Sequence, residues 1–232
     1  MLEVRNLSAG YGPITVIRDI SLDVNDGEIY ALLGANGAGK TTLVNAIMGF
    51  VKCRKGSVKL DNVDVTGLSL DAHARMGMSI VPEGRRLFSE LTVAENLRLG
   101  GYNLKGTKFE EQLDFVHRLF PVLRDLRNSP SPRLSGGQQQ MLAIARALIP
   151  APRFVVLDEP LTGLMPQAVE QVLKTITMLK ENGMSILLVE QNLRKAVSVA
   201  DRMSLMQNGR LILESKADAA IENEIVKAAY LG

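Results

Sequence analysis

Eight residues restrict the fold of this chain more than any others. Gly34-Ala35-Asn36-Gly37-Ala38-Gly39-Lys40-Thr41 fits the pattern G-x-x-x-x-G-K-[ST]. The run directly follows apolar residues Ile29 to Leu33 and opens a helical pattern with Leu43, Ile47 and Phe50 on one face. Strand, glycine-rich loop and helix in that order form a phosphate cradle. The glycines let backbone N–H groups wrap the α and β phosphates, and Lys40 reaches the β and γ phosphates. Thr41 offers its hydroxyl to Mg²⁺. A chain with this loop is expected to be an α/β protein.

A second element supplies what the loop lacks. Phe154-Val155-Val156-Leu157 reads as a buried strand, and Asp158 and Glu159 follow at its C-terminal end. Open α/β sheets bind ligands there. Asp158 suits a Mg²⁺ carboxylate, and Glu159 suits a general base that orients and polarises water.

The third element is Leu134 to Gln138, LSGGQ. Ser135 and Gln138 have the S-x-x-Q spacing of a capping box, so a helix should begin there. Gly136 and Gly137 leave its first turn without side chains, open to an anion. The run holds no lysine, metal-ligating hydroxyl or general base, so it resembles half of a nucleotide site.

The remaining pattern alternates strands with helices, which implies a parallel sheet. Ile20, Leu22 and Val24 alternate with polar residues ahead of the turn Asn25-Asp26-Gly27, and Gly56–Leu60 with Val63–Val65 reads as a hairpin around Asp61-Asn62. Thr92 and Glu95 predict a second capping box, with a helix through Leu99. Residues 108–126 are helical in pattern, with Leu113, Val116 and Phe120 on one face. Further expected elements are a helix opened by Pro166, a strand over 185–189, a helix near 191–200 and a type I′ hairpin at Asn208-Gly209. The ten methionines read as core fillers, and His73 and His117 as surface residues without metal-ligand spacing.

Together the P-loop, LSGGQ and Asp158-Glu159 after an apolar strand resemble an ATP-binding-cassette (ABC) ATPase across essentially the whole chain. The resemblance implies an α/β P-loop NTPase in a single domain over 1–232. Its parts would be an N-terminal antiparallel β subdomain, a RecA-like parallel-sheet core and an inserted helical subdomain over 85–150. It implies ATP and Mg²⁺ as cofactors, with Gly34, Asn36, Gly37, Ala38, Gly39, Lys40, Thr41 and Thr42 around the nucleotide. Tyr11 would stack on adenine. Ser135, Gly136, Gly137 and Gln138 would close over ATP held by a second ATPase subunit, identical or not.

Three positions depart from the commonest residues of that family. Glu83 stands for the usual glutamine after the strand Ser79-Ile80-Val81, where it would bind Mg²⁺. Gln191 stands for the usual histidine after Ile186 to Val189, and can still donate a hydrogen bond to the γ-phosphate. Met165 stands near the place of an aspartate. PEGRRLF (82–88), SGGQQQMLAIARAL (135–148), LLVEQN (187–192) and the closing Ala229-Tyr230-Leu231-Gly232 resemble an ATPase subunit of branched-chain amino-acid importers. That subfamily carries the Glu and Gln variants and works with membrane permeases. Residues 84–100, with Leu87, Phe88 and Leu91, then either meet a permease or pack the helical subdomain. A urea or short-amide importer, or a regulatory subunit with weak hydrolysis, are the alternative readings.

Composition removes other classes. With 27 basic and 25 acidic side chains the formal net charge is +2, which gives no case for a nucleic-acid partner. No apolar run approaches the roughly 20 residues of a membrane helix, so no direct membrane insertion is expected. Cys53 is alone, consistent with a reducing compartment. The resemblance to importer ATPases implies a peripheral location, on the cytoplasmic face of the inner membrane.

Overall fold

The computed structural model describes residues 1–104 and 106–231, with side chains through Lys227. Gly232 of the closing Ala229-Tyr230-Leu231-Gly232 lies outside the described residues, as do the side chains of the other three.

The chain runs β1 (Leu2–Tyr11), β2 (Ile14–Val24), β3 (Ile29–Leu33), α1 (Lys40–Ile47), β4 (Cys53–Leu60), β5 (Val63–Asp64), α2 (Leu70–Arg75) and β6 (Met78–Val81). Four α-helices follow: α3 (Val93–Gly100), α4 (Thr107–Leu119), α5 (Pro121–Asp125) and α6 (Gly136–Leu148). Then come β7 (Phe154–Asp158), α7 (Pro166–Glu181), β8 (Ser185–Glu190), α8 (Leu193–Val197), β9 (Arg202–Gln207), β10 (Arg210–Lys216), α9 (Ala217–Ala220) and α10 (Glu224–Leu231).

Two sheets form. One is antiparallel, in the order β2-β1-β4-β5; the other has the order β10-β9-β3-β8-β7-β6. In the larger sheet β9, β3, β8, β7 and β6 are parallel, and β10 adds an antiparallel edge. Its central strands are apolar on both faces because both faces are covered. Ile29, Ala31, Leu33, Val155, Leu157, Ile186 and Leu188 face a core shared with α3 to α7. Tyr30, Leu32, Phe154, Val156, Leu187 and Val189 face a second core shared with α1 and the antiparallel sheet. The parallel sheet thus lies between two packed layers.

Local chemistry sets the element ends. Both capping boxes form: Glu95 N–H to Thr92 Oγ1 at 3.3 Å, and Gln138 N–H to Ser135 Oγ at 3.3 Å, each reciprocated by the glutamate or glutamine side chain. The β9–β10 loop has the predicted I′ signature, with φ of 49° at Asn208 and 76° at Gly209. A Cβ on Gly209 would lie 1.9 Å from the carbonyl oxygen of Val16, so glycine is needed there for space as well.

Several expectations are corrected. The helix predicted over 108–126 is broken at Phe120, because Pro121 cannot donate to the preceding turn and opens α5 instead. Phe50 lies past the end of α1 and is half exposed rather than on its buried face. The helix near 191–200 is shorter, Leu193–Val197, capped by Asn192. His73 is fully buried, with Nδ1 3.1 Å from the Ser69 carbonyl oxygen, because α2 packs it against Gly49. Met165 and Met178 are exposed, so not every methionine fills the core.

Candidate functional site

The first half of the site is the turn from β3 into α1. Gly39 caps α1 with φ 110°, and a Cβ there would meet Met206 Cε at 2.9 Å and Ile17 Cγ2 at 3.1 Å. The Ala38 carbonyl accepts the Gly209 N–H at 2.9 Å, so the β9–β10 hairpin braces the loop from behind. Lys40, only 4% exposed, folds back over the loop and donates to the Gly34 and Ala35 carbonyls at 2.9 and 3.2 Å. Thr41 is exposed; Thr42 is buried.

The second half comes from the neighbouring ends of β7 and β8, paired in parallel with Asp158 opposite Val189. Asp158 is 3% exposed, and its Oδ1 has no hydrogen-bond partner among the described residues. Burial, reinforced by Glu159 and Glu83, pushes its carboxyl up to about 6 against the pull of Lys40 and Arg86. A buried carboxylate oxygen without a partner, with the carboxylates of Glu159 and Glu83 acting on it, fits a hard divalent cation. No group of three or more His, Cys, Asp or Glu residues with metal-binding geometry occurs among the described residues. A cation here would therefore complete its shell with hydroxyl, phosphate and water oxygens, as Mg²⁺ commonly does.

Glu159 follows β7 in the left-handed region, φ 50°. Its Oε1 is 3.2 Å from Lys40 Nζ, both of its carboxylate oxygens accept from Gln191 Nε2 at 2.9 Å, and Thr162 Oγ1 donates to Oε2 at 3.2 Å. Gln191 Nε2 also bonds Asn36 Oδ1 of the loop. Lys40, Glu159, Gln191 and Asn36 therefore form one cluster from three distant segments. A cation holding phosphate, a carboxylate able to accept a proton from water and an amide donor are what hydrolysis of a phosphoanhydride requires.

The other sequence-selected residues lie outside this hydrogen-bonded cluster. Glu83 is exposed on the loop after β6 and makes no hydrogen bond or ion pair among the described residues. Tyr11, 51% exposed at the end of β1, accepts a long hydrogen bond from Asn45 of α1 at 3.4 Å. Ser135, Gly136, Gly137 and Gln138 are not brought to the cluster. They line a separate groove of about 390 Å³ with Gly163, Leu164 and Met165. Gly137 is not simply open: a Cβ there would come 2.7 Å from that of Ala168, so close α6–α7 packing uses this glycine.

Three arrangements had no signal in local spacing. Arg54 donates to the carbonyls of Gly12, Pro13 and Ile14 and to Thr15 Oγ1, clamping the β1–β2 turn beside Tyr11. Arg146 of α6 donates to the carbonyls of Arg85 and Arg86, both left-handed, while Arg85 donates to Gln139 at 3.0 Å. The loop after β6 is thus tied to the LSGGQ helix. Finally, Glu190 is a buried carboxylate at the end of β8.

The chain is similar to known proteins over its whole length. Residues 17–162 match the family described as ABC transporter. The chain is 40% identical over 232 residues, the full length of both, to the high-affinity branched-chain amino acid transport ATP-binding protein BraG of Pseudomonas aeruginosa. It is 35% identical over 233 residues to the lipopolysaccharide export system ATP-binding protein LptB of Escherichia coli, covering all of this chain and 97% of that one. In structure it resembles the ADP conformation of MJ1267, an ATP-binding cassette of an ABC transporter. The TM-score is 0.91 at 27% identity, with 100% of this chain and 98% of that chain covered. A P-loop cluster of this geometry in a chain so related has one assignment: the chain belongs to the ABC transporter family, as an ATP-binding cassette ATPase that serves a transporter as its ATP-binding subunit.

Proposed function

We propose that this chain powers an importer of branched-chain amino acids. The observation that carries the reading is full-length similarity to BraG, joined to the Lys40–Glu159–Gln191 cluster. In this reading Gly34 to Thr42 cradle the phosphates, with Lys40 at the β and γ positions, and Tyr11 stacks on adenine. Thr41 and Asp158, assisted by Glu83, would hold Mg²⁺, which neutralises the β and γ oxygens when bound. Glu159 accepts a proton as water attacks the γ-phosphorus and ADP leaves. Gln191, freed from Glu159, donates to the γ-phosphate.

Ser135 to Gln138 serve ATP on a second ATPase subunit, since they lie in a groove apart from the chain's own P-loop. Residues 85–150 act as an inserted helical subdomain within a single 1–232 domain, and residues 84–100 carry the contact with a permease. Phe88, Leu99 and Tyr102 are exposed around a groove of about 310 Å³ floored by Ala143 and Ala147, suited to an apolar helical segment. Among the described residues no helix is long and apolar enough to cross a membrane. As a subunit of such an importer the chain would work from the cytoplasmic face through its permeases.

The deciding experiment isolates the membrane proteins that co-purify with the chain and measures ATP-dependent leucine uptake in vesicles containing the complex. Leucine uptake abolished by Glu159→Gln supports the reading. Transport of urea or short amides instead, or extraction of lipopolysaccharide as the LptB relative would suggest, overturns the solute assignment. An inactive chain beside an active partner ATPase would make it a regulatory subunit.

A further inference from the structure

Strand β8 ends in a residue that the proposed chemistry does not use. Glu190 is 2% exposed after four buried apolar residues, and no lysine or arginine pairs with it among the described residues. Burying a lone carboxylate is costly, so its partners matter. Its Oε1 accepts the Leu161 N–H at 3.0 Å and its Oε2 accepts the Gln191 N–H at 3.2 Å. Burial pushes its carboxyl up, and these backbone donors pull it back down. The two donors belong to the two loops that carry Glu159 and Gln191.

The backbone of Glu159 shows why such a grip is needed. A non-glycine residue at φ 50° costs roughly 1–3 kcal/mol and persists only where its surroundings over-determine it. The turn carries its own bond, Thr162 N–H to the Glu159 carbonyl at 3.3 Å. Pro160 has no N–H, so the amides of residues 159 and 161 are the ones left to anchor it to the neighbouring strand. Both are held by the end of β8: Glu159 N–H by the Val189 carbonyl at 2.9 Å, and Leu161 N–H by the Glu190 carboxylate. The same carboxylate fixes the first amide of Gln191, whose Nε2 touches both Glu159 oxygens.

We propose that Glu190 is a positioning residue for hydrolysis, its carboxylate locking the Glu159 turn and the Gln191 backbone into one unit. The proposal rests on Glu159 being the general base. A carboxylate has an acceptor oxygen for each loop. The isosteric amide has one oxygen and turns an NH₂ donor towards the other N–H. Among the described residues the Glu190 carboxylate bonds the Leu161 and Gln191 amides and no group of the P-loop, so ATP binding should be spared.

The test uses the full chain in its transporter complex, with Glu190→Gln, Glu159→Gln and the double variant compared for Tm, ATP KM and kcat. Glu190→Gln is expected to keep KM within about twofold and lose kcat by about tenfold or more, a barrier change of roughly 1.4 kcal/mol. In the Glu159→Gln background it should cause no further loss, because it acts through that residue. A residue that only supports the fold would lower Tm and leave kcat near the parent value below the transition; that outcome overturns the proposal. So does a raised KM with unchanged kcat. Where Glu190→Gln fails to fold, Glu190→Asp keeps both acceptors one methylene short and must show the same kcat loss. Near-parent turnover in Glu159→Gln would instead sink the base assignment, independently of Glu190.

Discussion

Lys40 Nζ lies 3.2 Å from Glu159 Oε1, and both side chains are buried. The lysine that would hold phosphate and the carboxylate that would activate water thus neutralise one another in the ligand-free chain. Phosphate bound in the loop would compete with Glu159 for Lys40 and would leave the carboxylate free for the proposed base role.

That competition gives the first prediction. Lys40→Ala strands a buried carboxylate, at a cost of about 3–5 kcal/mol, whereas adding Glu159→Gln removes the charge. The single variant should therefore melt below the double variant, by several degrees for a domain of this size. Lys40→Ala should also lose ATP affinity. Glu159→Gln should retain affinity while losing turnover by at least about 100-fold. Thermal melts and equilibrium ATP binding on the three variants check this.

Asp158 makes stability depend on pH. Burial raises its carboxyl from the ordinary 3.8 to about 6, so the folded chain binds this proton more tightly than the unfolded chain. Stability of the ligand-free protein then falls as pH rises through that window. The full penalty, on the order of 3 kcal/mol, is reached above about pH 6. Asp158→Asn should raise Tm clearly at pH 8 and less at pH 5, while abolishing Mg²⁺-dependent turnover. Equal melting at pH 8 would contradict the burial argument.

The separate groove at Ser135 gives a third prediction. Ser135→Arg places bulk and charge where a second subunit's nucleotide would sit, and removes a cap worth about 1 kcal/mol. ATP binding to the single chain should be largely intact, and hydrolysis that depends on dimer formation should stop. Loss of binding by the monomer would show that the groove serves the chain's own ATP.

Arg54 holds the turn beside Tyr11 by four acceptors. If Tyr11 meets the base, Arg54→Ala should weaken ATP binding several-fold and leave inorganic tripolyphosphate binding unchanged; base stacking contributes about 1–3 kcal/mol. Tyr11→Ala should behave likewise. Competition binding with the two ligands separates base-dependent from phosphate-dependent affinity.

What the sequence by itself determined is short-range. The strand–loop–helix order at Ile29 to Thr41, the capping boxes at Thr92 and Ser135, and the Asn208-Gly209 turn follow from rules acting within four residues. Apolar runs such as Phe154 to Leu157 likewise declare a strand buried on both faces. Tertiary structure decided the rest, because those contacts join residues far apart in the chain. Buried His73, exposed Phe50, the Arg54 clamp and the pairing of Lys40 with Glu159 have no local signature. Glu190 is the clearest case: in sequence it is one acid after an apolar run, like Asp158. Only the parallel pairing of β7 with β8 sets its carboxylate against the Leu161 amide, 29 residues away, and turns a buried charge into a bracket between two loops.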